Sequence, residues 1–195
     1  MTGPKKFELA WRKRDLTEKR IKGEWVYRGK LLRVRRDSVR LPDGRQTERE
    51  YIEHPGAVMV IPVFEDGELV MERQFRYPLR RDMLELPAGK IDPGEPPLEC
   101  AKRELLEETG YSASAWRFVA TIHPVIGYSS ERIEIFLAQG LAHHGAKPDD
   151  GENIEIFKLP IATALEWVRE GRITDAKTVA GLFWAERILS GEWSV

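Results

Sequence analysis

Residues Gly89 to Tyr111 read GKIDPGEPPLECAKRELLEETGY, a glycine- and proline-rich half running into a charged half with helical spacing. Pro93-Gly94 forces a turn, and Pro96 and Pro97 suit a first helical turn, where a missing N–H costs little. Gly110 is placed to end the helix. Leu98, Ala101 and Leu105 recur at spacings of three and four, which predicts a side facing a core. Glu104, Glu107 and Glu108 fall at i, i+3 and i+4 and gather on another side within one turn. Like charges at those spacings repel, so the triplet has two readings. It is either a solvated face partly neutralised by Lys102 and Arg103, or a site for a hard cation such as Mg2+ or Mn2+, which prefers oxygen ligands. Cys100, one turn before Glu104, is expected to be a packing residue.

As a whole the segment resembles the signature of the Nudix hydrolases, Gly-x5-Glu-x7-Arg-Glu-U-x-Glu-Glu-x-Gly-U with U aliphatic. Gly89, Glu95, Arg103, Glu104, Leu105, Glu107, Glu108 and Gly110 fill its positions, and Tyr111 stands where an aliphatic residue is usual. The resemblance implies hydrolysis of a nucleoside diphosphate derivative with Mg2+ or Mn2+ as cofactor. It implies that Glu104 and Glu108 ligate metal, that Glu107 is an additional or water-mediated ligand, and that the Ala88 carbonyl is a further one. Glu95 and Arg103 are expected to hold loop and helix together. Divalent ions neutralise the diphosphate and lower the pKa of a bound water, and a carboxylate outside the helix takes the water proton.

Outward from this segment, Glu24 to Arg28, Leu31 to Val39 and Gln46 to Ile52 read as strands, with a strong turn at Leu41-Pro42-Asp43-Gly44. Ala57 to Phe64 is a buried-strand pattern, and Glu65-Asp66-Gly67 turns it into a strand at Glu68 to Gln74. Trp116 to His123, Ile133 to Gly140 and Ile154 to Leu159 are further strand candidates. Ile161 to Arg169 and Ala176 to Leu189 have helical spacing, with Gly171 ending the first and Thr174 or Asp175 capping the second. Mixed strands flanked by a few helices predict an α/β class. With the resemblance this becomes a Nudix α/β/α sandwich (residues 54–195) preceded by an N-terminal arm and small antiparallel sheet (residues 1–53) involved in dimerisation.

The surroundings resemble the ADP-ribose pyrophosphatase branch of the family, through His54-Pro55-Gly56-Ala57-Val58, Gln74-Phe75-Arg76-Tyr77-Pro78 and Glu85-Leu86-Pro87-Ala88-Gly89. That likeness implies cleavage of ADP-ribose to AMP and ribose 5-phosphate. Another nucleotide sugar such as GDP-mannose is the alternative substrate, and a non-catalytic ADP-ribose-binding regulator the alternative of another class. Pro124 is the candidate for the proline that marks ADP-ribose preference in the branch. Arg76 would bind phosphate or ribose, with Gln74 and Lys90 as further substrate-binding candidates, and Glu131 would contact a ribose. The likeness also implies a base in an acidic loop near the last core strand, a place that Asp149-Asp150-Gly151-Glu152-Asn153 fits, with Glu152 the first choice and Asp150 the second. The likeness implies a homodimer with exchange of the N-terminal sheet, in which Trp25, Tyr27 and Arg28 on the first strand offer surfaces for stacking adenine. Strand alternation predicts Trp25 and Tyr27 on one face and Arg28 on the other.

Composition closes off other classes. Of 195 residues 42% are apolar and 32% charged, which suits a globular chain rather than a disordered one. A single cysteine excludes an intramolecular disulfide and a cysteine-based zinc cluster. The longest apolar stretch is too short to span a bilayer, and the N-terminus lacks a signal-like apolar core, so a cytoplasmic protein is expected. Net charge is -1, split into +8 over residues 1–50 and -9 beyond. The basic segment is a solvated tail or lies against an acidic body. Its interleaved acids and the absence of a reader motif argue against nucleic acid.

Overall fold

The computed structural model describes residues 15–145 and 153–194, and the chain divides between Ile52 and Glu53 into two units. In the first, β1 (Lys19–Arg28), β2 (Arg33–Arg40) and β3 (Gln46–Ile52) form an antiparallel sheet in that order. Gly44, at φ 89°, takes the left-handed position of the β2–β3 turn, and Asp43 caps that turn by accepting from Arg45 N. The centre of this sheet is polar. Asp37 is buried and accepts from Arg35 and from the Tyr51 hydroxyl, with Arg20 Nε 3.0 Å away. Opposite it is Gly23, where a Cβ would lie 1.7 Å from Asp37 Oδ1, so glycine leaves room for the carboxylate where it stands.

The second unit is built around β4 (Ala57–Pro62), whose six residues are all buried. A strand covered on both faces reads as an unbroken apolar run rather than an alternating one. Val58 and Val60 face one way, toward Ala101, Leu105 and Phe136. Met59 and Ile61 face the other way, toward Met71, Leu86, Ile135 and Leu182. β4 pairs in parallel with β9 (Ile133–His143) and antiparallel with β7 (Ala88–Lys90), giving a four-stranded sheet β7-β4-β9-β8 with β8 at Tyr111–Ile122. A second, antiparallel sheet has the order β10-β5-β6, from β5 (Glu68–Arg76), β6 (Arg81–Glu85) and β10 (Ile154–Pro160).

Helix α1 (Pro97–Thr109) covers one face of the four-stranded sheet. The other face packs against β5, α2 (Ile161–Arg169) and α3 (Ala176–Leu189). This is the mixed α/β layering expected from the sequence. At Gly181 of α3 a Cβ would lie 2.5 Å from Met59 Cε, which is why this helix carries glycine where it meets the strand. Leu182 is fully buried in the same cluster, and its truncation to alanine would cost roughly 2–5 kcal/mol. Among the described residues no helix is long and apolar enough to cross a membrane.

Both C-terminal helices have the bounds read from sequence, with Asp175 as the N-cap of α3 accepting from Thr178 N. Strand ends differ: β1 begins at Lys19, β8 begins at Tyr111 directly after α1, and β5 runs on to Arg76. Strands β6 and β7 and the short 3-10 turn Tyr77–Leu79 were not expected at all. Gly89 therefore starts not in a loop but on a three-residue edge strand hydrogen-bonded to β4.

Candidate active site

α1 starts with Pro96 as N-cap and Pro97 as first residue, and stops where Gly110, at φ 72°, returns its N–H to the Leu106 carbonyl. Ala101 and Leu105 are fully buried and Leu98 is partly so. This seating turns the opposite side of the helix toward β7. Glu104 rests against Gly89 so closely that a Cβ there would lie 1.9 Å from the glutamate carboxyl carbon. Glu108 is buried and accepts from Ala88 N at 3.0 Å. The carboxylate triplet is thus not a solvated face; it lines a cavity of about 500 Å3 together with Ala88, Gly89, Lys90 and Arg103.

Arg103 organises this wall. Its Nε and Nη2 each donate at 2.9 Å to Glu95, while Nη1 donates to Glu104 at 2.9 Å and to Glu107 at 3.0 Å. Arg103 also reaches the Lys90 carbonyl at 3.3 Å, tying helix to strand. These bonds hold the Glu95 carboxyl down at about 2 and raise the Arg103 guanidinium further. Cys100 is buried, and burial first, with Glu95 beside it, pushes its thiol up to about 12, as befits a packing residue.

The opposite wall comes from the second sheet and α3. On β5, alternation puts Glu72, Gln74 and Arg76 on one face, and Gln74 and Arg76 line the cavity. Glu72 stands directly across from Glu85 of β6. Like charges at such positions destabilise a sheet, and cations answer them here. Arg76 forks onto Glu85 with Nε at 2.6 Å and Nη2 at 2.8 Å. Lys177, in the first turn of α3, bonds both Glu85 and Asp175. Burial would raise Glu85, yet Arg76 and Lys177 outweigh it and hold the carboxyl below its usual range. Glu72 is 2% exposed, and its Oε1 lacks a hydrogen-bond partner among the described residues. Burial pushes it up to about 8, against the hydrogen bond it shares with Glu108.

Other sequence candidates fall in several places. Glu131 lines the same cavity. His54 accepts from Gly56 N through Nδ1 and turns Nε2 toward Glu131 Oε1, 3.7 Å away. Pro124 lies in the turn after β8 and does not line the cavity. Glu152 and Asp150 lie outside the described residues. Trp25 and Arg28 belong to the N-terminal unit, and there the alternation read from sequence is corrected. A bulge between Trp25 and Tyr27 pairs Trp25 with Arg35 but Tyr27 with Val34. Neighbouring partners face opposite ways, so Trp25 and Tyr27 do too. The guanidiniums of Arg28, Arg33 and Arg35 lie 5.2, 5.0 and 4.7 Å from the Trp25 ring centroid. Sequence reading missed Glu72, Glu85 and Lys177; the Asp175 cap was the one signal that placed Lys177 at the start of a helix.

All the acidic groups around the cavity offer oxygen, the donor that hard divalent cations prefer. Among the described residues no three acidic, histidine or cysteine side chains converge closely enough, as placed, to hold a metal ion. Arg103 is the cation that bridges Glu104 and Glu107. Glu104, Glu107 and Glu108 line one cavity, and the buried Glu72 beside Glu108 keeps one oxygen, Oε1, without a hydrogen-bond partner among the described residues; such an oxygen donor set fits a divalent cation.

Residues 53–180 match the model of the NUDIX domain, and residues 18–52 match that of the nucleoside diphosphate sugar hydrolase N-terminal domain. The chain is 38% identical to a methanol dehydrogenase activator of Bacillus methanolicus, over 83% of this chain and 89% of that protein. It is 37% identical to an ADP-ribose pyrophosphatase of Bacillus subtilis, over 85% of this chain and 90% of that protein. A crystal structure of an ADP compounds hydrolase superimposes with a TM-score of 0.82 at 27% identity, covering 93% of this chain and 99% of that one.

Proposed function

This chain belongs to the Nudix hydrolase family, and from that premise we propose that it hydrolyses the diphosphate of ADP-ribose to AMP and ribose 5-phosphate with Mg2+ or Mn2+. The observation that carries this reading is a single cavity with Glu104, Glu107 and Glu108 on one wall and Gln74, Arg76 and Glu131 on others. Glu104, Glu108 and the Ala88 carbonyl would hold the cation, with Glu107 in support. When bound, the ion neutralises the diphosphate and supplies a water of lowered pKa.

The chain's own groups do the rest. Arg103 keeps Glu104 and Glu107 aligned and Glu95 keeps Arg103 in place. Arg76 and Gln74 donate to phosphoryl or ribose oxygens, and Arg76 suits this because its planar fork matches paired oxygens. Glu131 accepts from a ribose hydroxyl, and Lys90 adds a cation at the rim. The proton of the attacking water goes to Glu152, with Asp150 as the second choice. Trp25 stacks adenine beside Arg28 in a homodimer, a role favoured by the three guanidiniums around its ring.

The test is kcat/KM for ADP-ribose and for GDP-mannose with Mg2+. ADP-ribose is expected to lead by at least tenfold; a lead for GDP-mannose overturns the substrate, and cleavage of neither overturns the activity.

A further inference from the structure

Lys177 is the one cavity-lining group that comes from the C-terminal helices. Its side chain is only 14% exposed, with carboxylates of Glu85 and Asp175 as partners. An ammonium has three N–H donors, so two partners among the described residues leave one donor for the cavity. Arg76 is used in the same partial way. Its Nε and one Nη2 hydrogen go to Glu85, and the other three of its five donors remain. Glu85 thus works as a clamp holding two cations side by side at a wall that faces the anionic α1 wall.

A second tie fixes this position. Thr178 Oγ1 accepts from Leu86 N at 2.9 Å and donates to Asp175 Oδ2 at 2.7 Å. The first turn of α3 is thereby pinned to the strand connection that leads into Ala88. Lys177 is held before any ligand arrives, which cuts the ordering cost of binding. An ion pair serving stability alone would not need to face the cavity, and buried pairs contribute little to stability on average.

We propose that Lys177 is a second diphosphate-binding cation of this site, presented with Arg76 by Glu85 to the phosphoryl oxygens of the substrate. The inference rests on the reading of the cavity as a nucleoside diphosphate site. It adds α3 to the binding machinery and makes the contact independent of which base or sugar is attached.

The test compares Lys177→Met, Lys177→Gln and Lys177→Arg in the full chain. Calorimetry with inorganic pyrophosphate and Mg2+ measures binding without turnover, steady-state kinetics separates KM from kcat, and thermal melting reports the fold. Loss of one charge-assisted contact should weaken pyrophosphate binding and raise KM by about tenfold in Lys177→Met, with kcat within about threefold. Lys177→Gln keeps polar contact with Glu85 and Asp175 and should be as weak, so it decides the matter if the methionine variant does not fold. Lys177→Arg should recover most of the binding. Native pyrophosphate affinity and native KM in the glutamine variant, or no pyrophosphate binding by the unaltered chain, overturns the proposal. Failure of the unaltered chain to cleave any nucleoside diphosphate sugar, with the pyrophosphate difference intact, overturns the proposed function and leaves the role of Lys177 standing.

Discussion

The two walls of the cavity solve the same problem, crowded carboxylates, by different means. On the α1 wall one arginine gathers Glu95, Glu104 and Glu107, all within a single sequence segment. On the β5–β6–α3 wall Glu72 and Glu85 meet across strands, and the cations that answer them are Arg76 and, 92 positions from Glu85, Lys177. The first wall is partly open and its charges are paired. The second keeps one buried carboxylate oxygen, Glu72 Oε1, without a hydrogen-bond partner among the described residues. Local charge chemistry therefore builds the α1 wall, and tertiary pairing builds the wall opposite it.

The largest effect that sharpens this contrast is expected from Glu104→Gln and Glu108→Gln. Each should lower kcat by about a thousandfold, since metal-borne charge stabilisation is worth several kcal/mol. Their melting temperatures should stay near that of the unaltered protein, and a loss of fold in both would mean that the carboxylates serve structure first. Gly89→Ala comes next. Its Cβ would collide with the Glu104 carboxylate, a flexible end that can move aside. Displacement of about an ångström should cost roughly a hundredfold in kcat/KM with little change in melting.

Arg103→Lys should lose about tenfold in activity, because an ammonium cannot fork onto Glu95 while holding Glu104 and Glu107. Kinetics and melting measured together would show whether position or stability is lost.

The smallest effect lies in pH. In metal-free protein Glu72, near 8 when folded against an ordinary 4.5, favours folding fully below about 4.5 and loses that contribution as pH rises toward 8. Glu95, at about 2, acts the other way: its stabilisation is present above about 4.5 and is lost as pH falls toward 2. Glu72→Gln should therefore flatten the decline in melting temperature between pH 6 and 8 by roughly 5 °C or more. An unchanged slope would mean that Glu72 is ionised when folded.

The contrast between the walls also explains what the sequence made legible. The α1 wall could be read because its groups share one helix and the short loop before it, whose period and proline and glycine punctuation are local facts. The same punctuation gave α2 and α3 their bounds, through Gly171 and the Asp175 cap. Strand β6 escaped because Arg81-Asp82-Met83-Leu84-Glu85 shows neither clean alternation nor an apolar run, and β7 because three residues carry no period. The Glu72–Glu85 pairing exists only once the register of β5 on β6 is known. The bulge that separates Trp25 from Tyr27 inserts one residue with no local mark, and so inverted a face read by strict alternation.

The most direct test of the central claim is the reaction of the purified full chain with ADP-ribose, followed by chromatography of products with Mg2+ and with EDTA. AMP and ribose 5-phosphate should appear in equal amounts with Mg2+ and not with EDTA. Cleavage undiminished by EDTA, or intact ADP-ribose in the presence of Mg2+, would contradict it.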